Sequence, residues 1–293
     1  MSADTLLSYQ FFPTVPSDRS AVPRRSRTRS RSDRMTGATL MATTTTDSVE
    51  THQPRRIRTV STKTIARITG LLYILIFVTA GFSEGFVRAT LIVPGDATAT
   101  AANILASEGL FRLGVASDLI AFSADAVVAV LLYVLLRPVS RTLALVAATL
   151  RLIAHPAIAS INMLNQFMAL QLLTGPEYTT VFSPEQLNAL ALLLLTAHGY
   201  GYLIGGIFFG FHLIVLGYLL YRSELFPALL GVLVVLAAFG YLTESFTFLL
   251  VPTYEPIAST IVLVTAVVGE MALALYLVVK GVKTQQPATA EAA

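Results

Sequence analysis

NALALLLLTAHGYGYLIGGIFFGFHLIVLGYLLY, residues 188–221, decides the fold. It is a run of Leu, Ile, Ala, Phe and Gly with few polar interruptions. As a helix rising 1.5 Å per residue it is more than long enough to cross a hydrocarbon core of about 30 Å. Five further apolar stretches of spanning length lie at 65–87, 113–136, 142–172, 226–250 and 257–279. Those at 142–172 and 188–221 exceed a simple span and must tilt, kink or protrude. The whole chain has 293 residues, 55% hydrophobic and only 13% charged, with a mean hydropathy of +0.71. Soluble domains are nearer a quarter charged, and a water-facing surface needs polar cover that this composition lacks. The reading is all-α: a polytopic membrane helix bundle of about six transmembrane helices, with the lipid bilayer as its first partner. With 0 Cys, disulfides, iron–sulfur clusters and thiol nucleophiles are excluded; with 0 Trp, the interfacial aromatics must come from Tyr.

The charge is as uneven as the hydropathy. Residues 1–67 hold twelve of the 20 Lys and Arg, and the body holds eight. The run Arg24-Arg25-Ser26-Arg27-Thr28-Arg29-Ser30-Arg31 has no apolar period and cannot bury enough surface to offset its ordering entropy. Residues 1–62 are therefore expected to be a disordered basic cytoplasmic tail, or in part the product of a misassigned start, since Met35 and Met41 offer later ones. No apolar segment within the first thirty residues resembles a secretory signal. Nucleic acid is not expected as a partner. Residues 63–283 form the six-helix domain and 284–293 a second disordered cytoplasmic tail.

Orientation follows from where the remaining cations fall. Arg55, Arg56, Arg58, Lys63 and Arg67 flank the first stretch; Arg137 and Arg141, then Arg222, then Lys280 and Lys283 fall at alternate connections. The other side carries Arg88 and Arg112, and the loops at 173–187 and 251–256 have no Lys or Arg. Both termini are read as cytoplasmic and the membrane as the cell's inner (plasma) membrane. On the outer side, Ser183-Pro184-Glu185-Gln186 is a helix start with a Ser cap and Pro at the first position. Asp96 can cap a short helix after Pro94-Gly95, expected to lie at the outer interface.

Ionisable groups inside spans are costly and are functional hypotheses by default. Asp118 and Asp125, seven apart, share a face of the second stretch. Arg151, His155, Asn162, Asn165 and Gln166 cluster on one side of the third; His198, Tyr202 and His212 share a face of the fourth. A short loop, 137–140, makes the second and third stretches an antiparallel hairpin. Asp125 and Arg151 then both lie about 19 Å from it, near mid-membrane. The expectation is a buried ion pair of Asp125 with Arg151, joined by His155. Glu84, Asp118, His198 and Glu244 all fall in the outer half and are candidates to line a polar cavity. Glu270 is a carboxylate deep in the last span. Metal and cofactor are expected to be none. His198 and His212 are about 21 Å apart along the axis, Asp118 and Asp125 about 10 Å. A metal would need ligands gathered from several helices, such as His198, Asp118 and Glu244. Gly201-x-x-x-Gly205 and Gly206-x-x-x-Gly210 give a smooth face for an internal neighbour or a dimer. Pro156 removes an N–H and should kink the third helix at Leu152.

Several short stretches carry a resemblance: Ala66-Arg67-Ile68-Thr69-Gly70-Leu71-Leu72-Tyr73, Phe86-Val87-Arg88, Leu91-Ile92-Val93-Pro94-Gly95-Asp96, Asn103-Ile104-Leu105-Ala106-Ser107-Glu108 with Phe111-Arg112, and Gly269-Glu270 through Val279-Lys280-Gly281. Over residues 63–283 the chain resembles a bacterial membrane-protein family filed as domain of unknown function 4386. The resemblance implies this topology and brings no activity and no catalytic residue. No Walker loop, Gly-x-Ser-x-Gly elbow or dinucleotide fingerprint is present. Three readings stay open: a small-molecule or ion transporter or binding protein with an outward-facing polar cavity, an intramembrane hydrolase built on an Asp/His/Glu constellation, and a structural or stress-linked membrane protein without a small-molecule site. The balance is against an enzyme.

Overall fold

Residues 60–175 and 179–283 are described by a computed structural model. Most of the expected basic tail and the C-terminal tail at 284–293 lie outside the described residues. Six helices are long and apolar enough to cross a membrane. They are α1 (Thr62–Leu91), α3 (Glu108–Leu136), α4 (Arg141–Thr174), α5 (Pro184–Arg222), α6 (Ala228–Leu250) and α7 (Pro252–Val279); the short α2 (Ala97–Ala106) follows the first. Among the described residues there is no strand. This is a multi-pass membrane protein.

Local chemistry starts and stops each rod. Ser61 accepts from the Thr64 N–H, Asp96 from Ala99 at 2.8 Å and Ser140 from Leu143 at 3.3 Å. Ser183 and Gln186 form a reciprocal capping box with Pro184 at the first turn. Gly175 closes α4 in the left-handed region at φ 71°, where a side chain would be strained.

The spans pack in chain order, α1 on α3, α3 on α4, α4 on α5, α5 on α6 and α6 on α7; α7 returns to α1 and closes the ring. Six antiparallel spans bring the described ends together. The Lys283 N–H donates to the Leu225 carbonyl at 2.9 Å, and Gly281 abuts Lys63. An inner apolar core runs through Tyr73, Val128, Leu132, Phe209, Leu216, Val234 and Leu277. The outside is just as apolar: Leu71, Val78, Leu113, Val130, Ile161, Leu193, Phe239 and Leu263 are exposed on the bundle flanks. In water such patches would drive aggregation; in a bilayer lipid covers them.

Two features alter the expected rods. In α4 the residues around Pro156 form a wide π-turn, Ile153–Ala159. This absorbs the missing N–H without ending the helix. A second π-turn, Phe82–Arg88, lies near the end of α1 with no proline in it. The short α2 turns Thr100, Ala101 and Ile104 into the protein, over α5 and α4, and so caps the bundle end. The glycine-rich face of α5 is used inside the chain: Gly201 meets Asn162 and Gly205 the Ala154 carbonyl of α4, whereas Gly206 meets Ser245 and Gly210 meets Leu242 of α6.

Candidate functional site

Polar side chains inside the ring fall into three clusters, two of which sit on a π-turn. The first is at the end away from the termini. On the π-turn of α1, Ser83 and Arg88 are buried and Glu84 stays at the surface. Arg88 Nη1 donates to Asp118 Oδ2 of α3 at 2.6 Å and to Ser83 Oγ at 2.8 Å. Its Nε and Nη2 reach Glu84 Oε2 at 2.7 and 2.5 Å. The guanidinium also lies 5.9 Å from the Tyr202 ring centroid. Asp118 is fully buried, while the Glu84 side chain is 69% exposed. A single arginine thus links a surface carboxylate to a buried one. Among the described residues the second carboxylate oxygen, Asp118 Oδ1, makes no hydrogen bond within 3.5 Å, and the Ser83 hydroxyl lies beside the carboxylate.

The second cluster occupies the centre of the bundle. Arg151 is 1% exposed. Its Nη2 donates to Asp125 Oδ1 at 2.5 Å and its Nη1 to Tyr73 Oη at 2.9 Å, and Nη1 lies 3.2 Å from His212 Nε2. Its Nε has no hydrogen-bond partner among the described residues. Tyr73 and Phe209 rings flank the guanidinium at 4.8 and 5.2 Å. An arginine only donates, so His212 Nε2 accepts and its Nδ1–H donates to the Ala147 carbonyl at 2.8 Å. His212 is thereby the neutral tautomer. His155 Nδ1 stands 3.3 Å from Asp125 Oδ2, and its ring packs 4.5 Å from Phe209. On the far side Tyr241 donates to Glu270 Oε1 at 2.9 Å, with the Tyr241 ring edge-on to Phe209 at 5.0 Å. Every one of the six spans contributes a side chain here.

The third cluster joins α4 to α5. Gln166 Nε2 lies 2.7 Å from His198 Nε2, and Asn162 Nδ2 donates to the His198 carbonyl at 2.7 Å. An amide nitrogen only donates, so His198 Nε2 accepts from Gln166, while Nδ1 stands between Asn162 Nδ2 at 3.1 Å and the Asn162 carbonyl at 3.3 Å. Asn165 in turn donates to Asn162 Oδ1 at 2.8 Å.

The residues expected to line a polar cavity are therefore not all together. Glu84 and Asp118 meet through Arg88, and His198 stacks edge-on at 5.0 Å against Tyr202, the ring under Arg88. Glu244 is elsewhere, beside Ser259 of α7. The ring order is the reason: α6 packs between α5 and α7, away from α1 and α3. The polar residues of α4 likewise divide, Arg151 and His155 to the centre and Asn162 and Gln166 to His198. Arg88 as the link, Ser83, Tyr73, Tyr241 and Phe209 were not among the expected site residues. Ser and Tyr in an apolar run are weak signals, and only Arg88, a cation at a span end, stood out. Among the described residues no group of three or more His, Asp or Glu is placed to hold a metal.

A family profile described as "Domain of unknown function (DUF4386)" matches residues 68–281. An uncharacterized protein of Archaeoglobus fulgidus is 30% identical over 162 residues, which are 55% of this chain and 80% of that relative. No solved structure matches.

Proposed function

The chain belongs to the DUF4386 family, and from that premise we propose that it is a transporter for a small monovalent cation, taken up at the Arg88–Glu84–Asp118 cluster. One observation carries the reading. The cluster holds two carboxylates against one guanidinium, and among the described residues Oδ1 of its buried carboxylate has no cation in contact. The surplus negative charge lies on the exposed Glu84 and draws cations to the mouth of the cluster. Glu84 reaches the surface and supplies the entry; Asp118 supplies the interior ligand. The hydrolytic reading has less support, because both ring nitrogens of His198 engage amide and carbonyl groups rather than a carboxylate.

Proteoliposomes carrying the full chain are expected to take up sodium, potassium or methylammonium saturably. Asp118→Asn should abolish that uptake, and Glu244→Gln should leave it within about twofold. Uptake by the wild type no faster than by empty liposomes defeats the reading.

The cluster's side of the membrane follows from charge. At the end away from the termini both arginines are neutralised, Arg88 as above and Arg112 by Glu108 at 2.6 Å. Arg137, Arg141, Arg222, Lys280 and Lys283 lie at the terminal end, which supports termini in the cytoplasm, the cell's inner (plasma) membrane as the location, and the cluster facing out. Reporter fusions after Lys283 and within 137–140 should report cytoplasm, and fusions at 179–183 the outside. A C-terminus on the outer side would overturn this orientation.

A further inference from the structure

Glu270 is the buried carboxylate that the solute reading does not use. It is 5% exposed, in the second half of α7, and among the described residues no Lys, Arg or His lies within ion-pair distance of it. Its polar contact is the Tyr241 hydroxyl, which donates to Oε1. The ionisable groups around it and Tyr241 come from several spans: Tyr73 of α1, Asp125 of α3, Arg151 and His155 of α4, and Tyr241 with Glu244 of α6. From α5, His212 and Phe209 face the same arginine.

The charges can be counted. Arg151 and Asp125 cancel at 2.5 Å. His212 is neutral, because its Nε2 accepts from Arg151 while its Nδ1–H serves the Ala147 carbonyl. The His155 ring lies against Asp125 Oδ2 at 3.3 Å, with Phe122 and Phe209 beside it, and does not reach Glu270. An ionised Glu270 would therefore be a buried carboxylate with no cation in contact among the described residues. In a medium of low dielectric the neutral acid is the cheaper state.

We infer that Glu270 and Tyr241 form a one-proton site in the middle of the membrane, with the proton on the Glu270 carboxyl and the Tyr241 O–H donating to its other oxygen. The ligand is H+, and the site is independent of cation binding at Asp118. It is also coupled to the central ion pair. Arg151 Nε is an unspent donor. On losing its proton, Glu270 becomes a second carboxylate for that guanidinium, in competition with Asp125.

Infrared spectroscopy of the full chain in lipid tests this without any transport assay. At neutral pH the wild type is expected to show one protonated-carboxyl C=O band that is lost in Glu270→Gln. The same band should move in Tyr241→Phe, where its hydrogen-bond donor is gone, and stay in Asp118→Asn. Identical acid-region spectra for wild type and Glu270→Gln overturn the site. If Glu270→Gln does not fold, an unmoved band in Tyr241→Phe overturns it equally. Absence of cation uptake bears on the Asp118 reading alone and leaves this band as expected.

Discussion

Arg151→Met alone is expected to destabilise the folded chain by on the order of 3–5 kcal/mol, and Asp125→Leu alone by a similar amount. The loss comes mainly from what each change leaves behind. Without Arg151, the Asp125 carboxylate keeps only the His155 contact at 3.3 Å, and Tyr73 and His212 each lose a donor. Without Asp125, a guanidinium with 1% exposure has no counter-charge in contact. The combination Arg151→Met with Asp125→Leu removes both charges, so it should be more stable than either single variant by about 2 kcal/mol or more. Recovery should stay incomplete, since His212 Nε2 remains without its donor. Thermal unfolding of the purified variants in one detergent gives the comparison. Losses that simply add in the double variant would mean that the two side chains do not act as a pair.

The second large effect is at a backbone contact. Gly231 of α6 and Gly217 of α5 let the two helices touch: a Cβ on Gly231 would stand 2.5 Å from the Gly217 carbonyl oxygen and 2.6 Å from the Tyr221 nitrogen. Neither atom belongs to a side chain that can rotate away. Gly231→Val must therefore push α5 and α6 apart and should cost about 3 kcal/mol or more, at the upper end of overpacking penalties. Gly199 has open space at the same test. Gly199→Ala should leave stability unchanged or raise it by up to about 1 kcal/mol, through helix propensity. The fraction of monodisperse protein after mild heating separates the two. A Gly231→Val protein as robust as the wild type would contradict the close approach.

The membrane bundle was legible because its signal is one-dimensional. Length and hydropathy mark each span, and caps such as Ser183 with Gln186 and Asp96 act within a turn of their own position. The equal depth of Asp125 and Arg151 needed only the position of the loop at 137–140. What escaped depends on rotation and on ring order. The π-turn at 82–88 has no proline to announce it, yet it buries Ser83 together with Arg88, which reaches Asp118 of α3. Counting 100° per residue through Pro156 treats α4 as one straight face, whereas a π-turn inserts a residue and resets the register between Arg151 and Asn162. Glu244 shares its depth with Glu84 and Asp118, but depth does not say which span stands next to which, and α6 stands apart from α1 and α3. Tyr73 and Tyr241 look like ordinary lipid-facing or interfacial aromatics in the sequence; only the packed bundle brings their hydroxyls to Arg151 and Glu270.

Cation binding at Asp118 is tested most directly by melting curves of the purified chain at constant ionic strength, titrating sodium, potassium, lithium or methylammonium against choline. A ligand that binds only the folded state raises the melting temperature with its concentration. At least one of the four should stabilise the wild type saturably, and Asp118→Asn should show no response to it. Wild-type curves that are the same in all four cations as in choline would contradict the account.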